Sequence, residues 1–280
     1  MRRARLLLKL LLILLVLYAV VVAIAWFAQE RLIFPAYLVV PARELPPGAE
    51  RLTVETADGV RLEGVHIPPT AGSGRGETLL LVFAGNASNA QGAAELIHEI
   101  YPAHPVVAFF YRGYAPSGGT LGAPRLMDGA PFVPAALAPL DHALVARRLR
   151  PRRIVAVGIS LGSGVAAALA ARRPLAGLIL VTPFDSLAAT ARDLHPWLPV
   201  SLLIRHDMRS AELLAGTRLP VAIVASGSDR LVRPERTDAL RRSVPNLVYD
   251  ATVPGAGHDD IFLRPELEPA MREALARVGG

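Results

Sequence analysis

Cysteine is absent from the 280 residues. That excludes disulfides, thiolate zinc sites, iron–sulfur clusters and a cysteine nucleophile together. It is compatible with an oxidising compartment, where a stray thiol is a hazard. Lysine is almost absent too, since Lys9 stands alone among 30 cations, a bias that points to a GC-rich bacterial genome. Charged residues make up only 19% against 52% hydrophobic, which is too apolar for a disordered chain. Glycine and proline are plentiful but aperiodic, so a collagen-like chain is excluded, and there is no internal repeat or low-complexity tract.

A large excess of positive charge is also missing from most of the chain. The net charge is +6, but Arg2, Arg3, Arg5 and Lys9 precede the first apolar run, and without them 26 basic residues face 24 acidic ones. The body of the protein therefore lacks the electrostatic footprint of a nucleic-acid binder. Arg147, Arg148, Arg150, Arg152 and Arg153 read as the cationic end of a helix running into a strand, where they suit the helix dipole.

One long apolar run exists. Residues 10–28 are 19 consecutive uncharged positions, reaching roughly 28 Å as a helix, close to the thickness of a bilayer's hydrocarbon core. The basic residues ahead of it predict a cytoplasmic N-terminus and a chain that continues on the far side. Trp26 and Phe27 fall where an interfacial aromatic belt would sit. A cleaved signal peptide is the alternative, with a small-x-small site at Ala23-Ile24-Ala25. The run is longer than the roughly 7–15 residues of a signal core, which favours a retained anchor. The expected organisation is a basic segment at 1–9, an anchor at 10–28, a proline-rich connector at 29–50 and one domain at 51–280.

That domain opens on two β-like runs, 52–56 and 60–67, around Asp58-Gly59, a signal for a two-residue hairpin. A Gly-rich loop follows at 70–76. Short apolar runs at 78–83, 106–110, 154–157, 177–181, 221–225 and 247–252 then alternate with helix-like stretches at 90–100, 135–149, 163–171, within 185–215, and at 235–242. Continuous apolar strands separated by helices imply a mostly parallel sheet covered on both faces, here with an antiparallel start. The stretch 183–218 is longer than a crossover needs and reads as a lid-like excursion over the site.

Gly158-Ile159-Ser160-Leu161-Gly162 reads G-x-S-x-G between a strand and a helix, the setting of a nucleophile elbow. Gly158 and Gly162 leave room where the backbone is strained and elements come close. A serine nucleophile needs a base, and the base needs an orienting acid. Of seven histidines, His258 alone follows the last strand in a glycine-rich loop; His66 ends a hairpin strand, and His98 and His142 sit within helix-like stretches. Asp229 follows the strand at 221–225, with Asp185 in reserve after the strand at 177–181. Asp259 and Asp260 read as the start of the final helix. The oxyanion donors expected are the backbone N–H groups of Leu161 and of Asn86, the latter in the loop after 78–83. Gly85 is expected to need a conformation or approach that a Cβ would obstruct. His195, His206 and Asp207 match no metal-ligand spacing.

Taken together, these residues resemble the α/β-hydrolase superfamily, and more narrowly the N-terminally membrane-anchored serine hydrolases related to protein depalmitoylases. Ala84-Gly85-Asn86-Ala87-Ser88-Asn89 follows that group's H-G-N-A-G-N segment except at Ala84 and Ser88. Tyr111-Arg112-Gly113-Tyr114-Ala115-Pro116-Ser117-Gly118-Gly119 follows its Y-R-G-Y-G-x-S-x-G segment, and the stretch at 120–135 is longer than the group's pattern. The resemblance implies an α/β-hydrolase fold and hydrolysis of carboxylic esters or thioesters by Ser160, His258 and Asp229, with no metal or organic cofactor. It implies an acyl substrate, small or lipid-like, and a membrane as partner. A peptidase or amidase on the same residues, or a membrane-tethered binding protein on the same fold, is the alternative.

Overall fold

The computed structural model describes residues 2–56, 58–71, 78–120 and 151–279. The helix expected at 135–149, His142, Arg147, Arg148, Arg150, the long stretch at 120–135 and most of the Gly-rich loop at 70–76 lie outside them.

Among the described residues eight strands form one sheet: β1 Glu50–Glu55, β2 Arg61–Ile67, β3 Thr78–Phe83, β4 Val106–Phe109, β5 Arg153–Ile159, β6 Gly177–Val181, β7 Val221–Ser226 and β8 Leu247–Val253. They lie in the order β1-β2-β4-β3-β5-β6-β7-β8. β1 and β2 pair antiparallel, as do β2 and β4, and every later pairing is parallel. This is the α/β-hydrolase fold.

Strand side chains alternate between two faces, and both faces are covered. Leu79, Leu81 and Phe83 of β3 enter one core, together with helices α3 (Leu161–Ala170), α6 (Ser210–Ala215) and α7 (Pro234–Ser243). Leu80 and Val82 enter the other, under α2 (Ala90–Ile100) and α8 (Leu267–Gly279). Burial on both faces is why these strands read as unbroken apolar runs. Two further short helices, α4 (Leu187–Leu194) and α5 (Val200–Leu203), lie with α6 in the excursion between β6 and β7.

Two expectations need correction. Thr56 N–H bonds Val60 O at 2.9 Å and Gly59 takes φ +77°, so the strands close at Thr56 and Val60 rather than directly around Asp58-Gly59, with glycine in the left-handed place. Asp259 and Asp260 start a 3₁₀ turn at Asp260–Leu263, and the final helix begins only at Leu267. Arg264 precedes Pro265 and is extended (φ −87°, ψ 131°), which separates the two.

The N-terminal helix α1 spans Arg2–Ile33, 32 residues, or roughly 48 Å. It is long and apolar enough to cross a membrane. Its last turns dock on the domain. Gln29 is buried; its amide donates to Leu203 O at 3.1 Å and accepts from Arg205 N–H at 2.9 Å. Glu30 meets the buried His206 at 3.3 Å, and burial pushes that imidazole below the ordinary histidine range. The connector after α1 is strapped down rather than loose. Phe34 is buried in the core, Asn89 bonds Val40 O and Pro41 O, and Gln91 bonds Glu44 O.

Among the described glycines the tightest approach is where α3 meets β3. A Cβ on Gly162 would stand 2.1 Å from Phe83 O and 2.7 Å from Ala84 O. Gly162→Ala should therefore lower stability by about 3 kcal/mol or more, at the upper end of overpacking costs. That corresponds to a fall in melting temperature of roughly 6–12 °C. Gly216→Ala, where a Cβ would meet nothing within 4 Å, should leave the thermal unfolding curve in place.

Candidate active site

The site forms at the carboxyl ends of the parallel strands, where three loops converge. Ser160 ends β5 and caps α3 with φ 50° and ψ −115°, a conformation most L-residues avoid. Two contacts hold it there: its N–H bonds Val181 O at 2.9 Å, and its carbonyl accepts from Ser163 N–H at 2.9 Å. Gly158 is required by the same turn, since a Cβ there would lie 2.6 Å from Gly162 O. Ala87 after β3 and Thr182 after β6 are also at positive φ. Backbone strain thus gathers on three neighbouring strand ends, as is common at functional sites. Nothing in the sequence marked Thr182.

His258 and Asp229 reach the serine from the last two strands. His258 Nε2 lies 2.8 Å from Ser160 Oγ, and its Nδ1 lies 2.7 Å from Asp229 Oδ2. A carboxylate only accepts, so Nδ1 carries the proton and Nε2 is left to accept from the serine hydroxyl. Asp229 Oδ1 is occupied by the N–H groups of Leu231 and Val232 at 2.9 and 2.8 Å, so the carboxylate is fixed from both oxygens. The turn contacts and the histidine contact therefore fall on one aspartate. The two loops are stitched together: Ser226 Oγ bonds Gly257 O, Gly227 N–H bonds Val253 O, and Ser228 N–H bonds Ala256 O. Asp185 is elsewhere; it pairs with Arg236 of α7 at 3.2 Å, and Arg236 also meets Asp193 at 3.0 Å.

The loop after β3 lies against the serine. A Cβ on Gly85 would be 3.7 Å from Ser160 Cβ and 3.1 Å from Ser88 Oγ. Gly85 is not the left-handed residue here; Ala87 is, at φ 54°. Within this turn Ser88 N–H bonds Gly85 O and Ala87 N–H bonds Asn86 Oδ1, so the turn's own bonds leave out the Asn86 N–H. Leu161 is the first residue of α3, and its N–H has no carbonyl partner within the helix. Capping of α2 falls to Asn89, whose Oδ1 accepts from Gln91 and Gly92.

Two residues of the Y-R-G-Y segment brace the loop, a role that sequence spacing did not reveal. Tyr111 Oη donates to Ala84 O at 2.7 Å and Tyr114 Oη donates to Asn86 Oδ1 at 2.8 Å. Burial pushes both phenols above the ordinary tyrosine range, so both stay protonated donors. Asn86 Nδ2 turns the other way and donates to Ile33 O, the end of α1, at 2.6 Å. Arg112, between the tyrosines, reaches the hairpin tip and pairs with Asp58 at 2.6 Å, holding that carboxyl at about 2 together with the Thr56 hydroxyl.

Ser160, Leu161 and Asn86 line one cavity of about 510 Å³. Its other walls come from the excursion, from α1, and from Leu231 and Val232 after β7. Asp, Glu, Lys and Arg are absent from its lining among the described residues. His206 and Asp207 serve other contacts: His206 meets Glu30, and Asp207 accepts from Ala188 N–H and Arg209.

The chain is 37% identical over 243 residues to the uncharacterized protein Rv2307c of Mycobacterium tuberculosis, covering 86% of this chain and 84% of that one. The chain belongs to the Rv2307c family. No protein-family model matches it. Among solved structures, the Rv2307c-family chain described here is similar to the Pyrococcus furiosus esterase Pf2001, with TM-score 0.64, 19% identity and coverage of 86% of this chain and 100% of that one. It is also similar to an acylaminoacyl peptidase of Pyrococcus horikoshii, with TM-score 0.63, 14% identity and coverage of 82% of this chain and 40% of that one. These likenesses carry the fold.

If Asp229 orients the imidazole, Asp229→Asn should lower turnover of an activated ester by about 10⁴, while Asp185→Asn keeps most of it. Steady-state kinetics on both variants decide the assignment; a reversed order would move the acid to the earlier strand.

Proposed function

We propose that this member of the Rv2307c family is a serine hydrolase that cleaves carboxylic esters or thioesters. The observation that carries the reading is the unbroken line from Asp229 through His258 to Ser160 Oγ, with both links at hydrogen-bond distance. Ser160 attacks the acyl carbonyl as His258 Nε2 takes its proton. Asp229 holds the tautomer and the imidazolium that forms. Negative charge develops on the carbonyl oxygen, and the N–H groups of Leu161 and Asn86 are the donors proposed to receive it. His258 then returns the proton to the leaving group, and water, activated by the same imidazole, releases the acyl group.

The mostly apolar lining of the cavity at Ser160, free of charged side chains among the described residues, favours acyl esters and thioesters over peptides. The resemblance to hydrolases related to depalmitoylases keeps thioesters beside oxygen esters as substrates. A purely binding role is disfavoured, because a binding site has no use for a serine strained at φ 50° and bonded to a histidine–carboxylate pair.

In this reading residues 1–9 are cytoplasmic, 10–28 span the membrane, and the domain from 51 onward works on the extracytoplasmic side, with 183–218 as its lid. Cleavage after Ala25 would remove Val21, Ile24 and Ala25 from the cavity wall, which favours a retained anchor.

A fluorophosphonate probe should label the full-length protein, and Ser160→Ala should abolish labelling while leaving the melting temperature unchanged; equal labelling of the variant would sink the assignment of the nucleophile. The protein should also stay in membranes through a high-salt wash, with its domain open to protease from the extracytoplasmic side. Recovery of a soluble mature chain starting at Trp26 would show a cleaved signal instead.

A further inference from the structure

We propose that α1 is part of the substrate site as well as the tether: it forms one wall of an acyl channel that opens within the bilayer, and Val21 and Ala25 on that wall limit the acyl chain accepted. The inference rests on the serine-hydrolase reading and deepens it, by assigning the substrate to long-chain acyl esters or thioesters dissolved in the membrane.

The channel's two ends are fixed by hydrogen bonds. Near the serine, Asn86 Nδ2 holds Ile33 O at 2.6 Å, so the nucleophile lies level with the last turn of α1. At the far end, Tyr18 Oη donates to Trp197 O at 2.9 Å, so the excursion runs alongside the helix up to Tyr18. From Ile33 back to Val21 the helix rises roughly 18 Å. A long acyl chain fills such a length and a butyryl group does not.

Tyr18 sits in the middle of the uncharged run, and Gln29, the buried polar residue that clamps α1, lies roughly 16 Å from it along the axis. With Gln29 at the polar boundary of the membrane, Trp197 lies at hydrocarbon depth. The excursion's exposed surface suits that depth: Trp197 is 55% and Leu202 80% exposed. In water such large exposed apolar side chains gain nothing from their surroundings; in lipid they are solvated. The cavity behind them is lined mostly by apolar side chains, with Gln29, Asn86, Thr190 and His195 as polar members beside Ser160. An acyl chain is the occupant that such a lining solvates, and a bilayer-resident ester brings its chain in sideways while its carbonyl stays near the interface, at the level of the serine.

The helical period separates wall from outside. Val21, Ile24 and Ala25 line the cavity, whereas Ala23, at 100° per residue, faces the opposite side. The same substitution two residues apart therefore gives a matched pair. Full-length protein in vesicles of ether-linked phosphatidylcholine, which offers no competing ester, is assayed with p-nitrophenyl palmitate and p-nitrophenyl butyrate. Ala25→Trp should lower kcat/KM for palmitate by about tenfold or more, since each methylene turned out of the channel is worth roughly fourfold. Butyrate hydrolysis should fall much less than palmitate hydrolysis, and Ala23→Trp, outside the cavity lining, serves as the control for folding and insertion. Val21→Trp should give a smaller loss confined to palmitate, and Ala23→Trp should change neither ester. Equal losses on both esters in Ala25→Trp and Val21→Trp, or no loss on palmitate in either, would overturn the wall. A wild-type protein that hydrolyses neither ester and does not react with fluorophosphonate would overturn the hydrolase reading beneath it, and the wall with it.

Discussion

Ser160 stands where it does because α3 comes close enough for Gly162 to touch the Phe83 carbonyl. With no side chain at 162, the helix starts directly beside the end of β3, and the chain leaving β5 must reverse within one residue. That reversal places φ of Ser160 at 50°. Strain of this kind costs about 1–3 kcal/mol per residue and persists only where the surroundings enforce it. Here the enforcement comes from the sheet: Ser160 N–H is tied to β6, and Thr182 N–H, at the next strained strand end, is tied to β7. The strand ends form a row in which each neighbour fixes the next.

Asn86 is the hub that joins this row to the rest of the molecule. Its carbonyl oxygen takes Tyr114, its amide nitrogen holds the end of α1, and its backbone lies in the turn beside the serine. Tyr114 belongs to the segment whose Arg112 grips the β1–β2 hairpin. The antiparallel edge, the turn after β3 and the N-terminal helix therefore meet at one asparagine. Small shifts in any of them are felt at the serine, because buried hydrogen-bonded groups have few alternative arrangements.

The parts legible in the sequence are those with local cause. Strands buried on both faces show as apolar runs, and Ser160, Asp229 and His258 each follow such a run directly, so strand order alone brought them to one edge. The hairpin loop misled by one residue because Asp58-Gly59 fits a two-residue turn equally well, and only the Thr56–Val60 pairing decides between them. The late start of α8 was written in Pro265 but masked by the two aspartates before it. What was not legible is long-range. Asn86 and Ile33 lie 53 residues apart and Tyr18 and Trp197 lie 179 apart, and no period or motif announces such pairs. Gln29 fell at the start of the expected connector; its bonds to Leu203 and Arg205 make it a clamp.

That clamp has a mechanical consequence. A helix joined to its domain by a slack tether can spin and tilt freely, and the domain need not follow. Gln29 engages the backbone at 203 and 205 from one azimuth only, since a step of one residue turns the helix surface by 100°. In the membrane-spanning arrangement proposed above, α1 and the sheet then move as one rigid body. A bilayer thinner or thicker than the apolar length of α1 cannot be accommodated by tilting the helix alone. The whole domain leans with it, and the height of Ser160 above the hydrocarbon becomes a property of the lipid as much as of the protein.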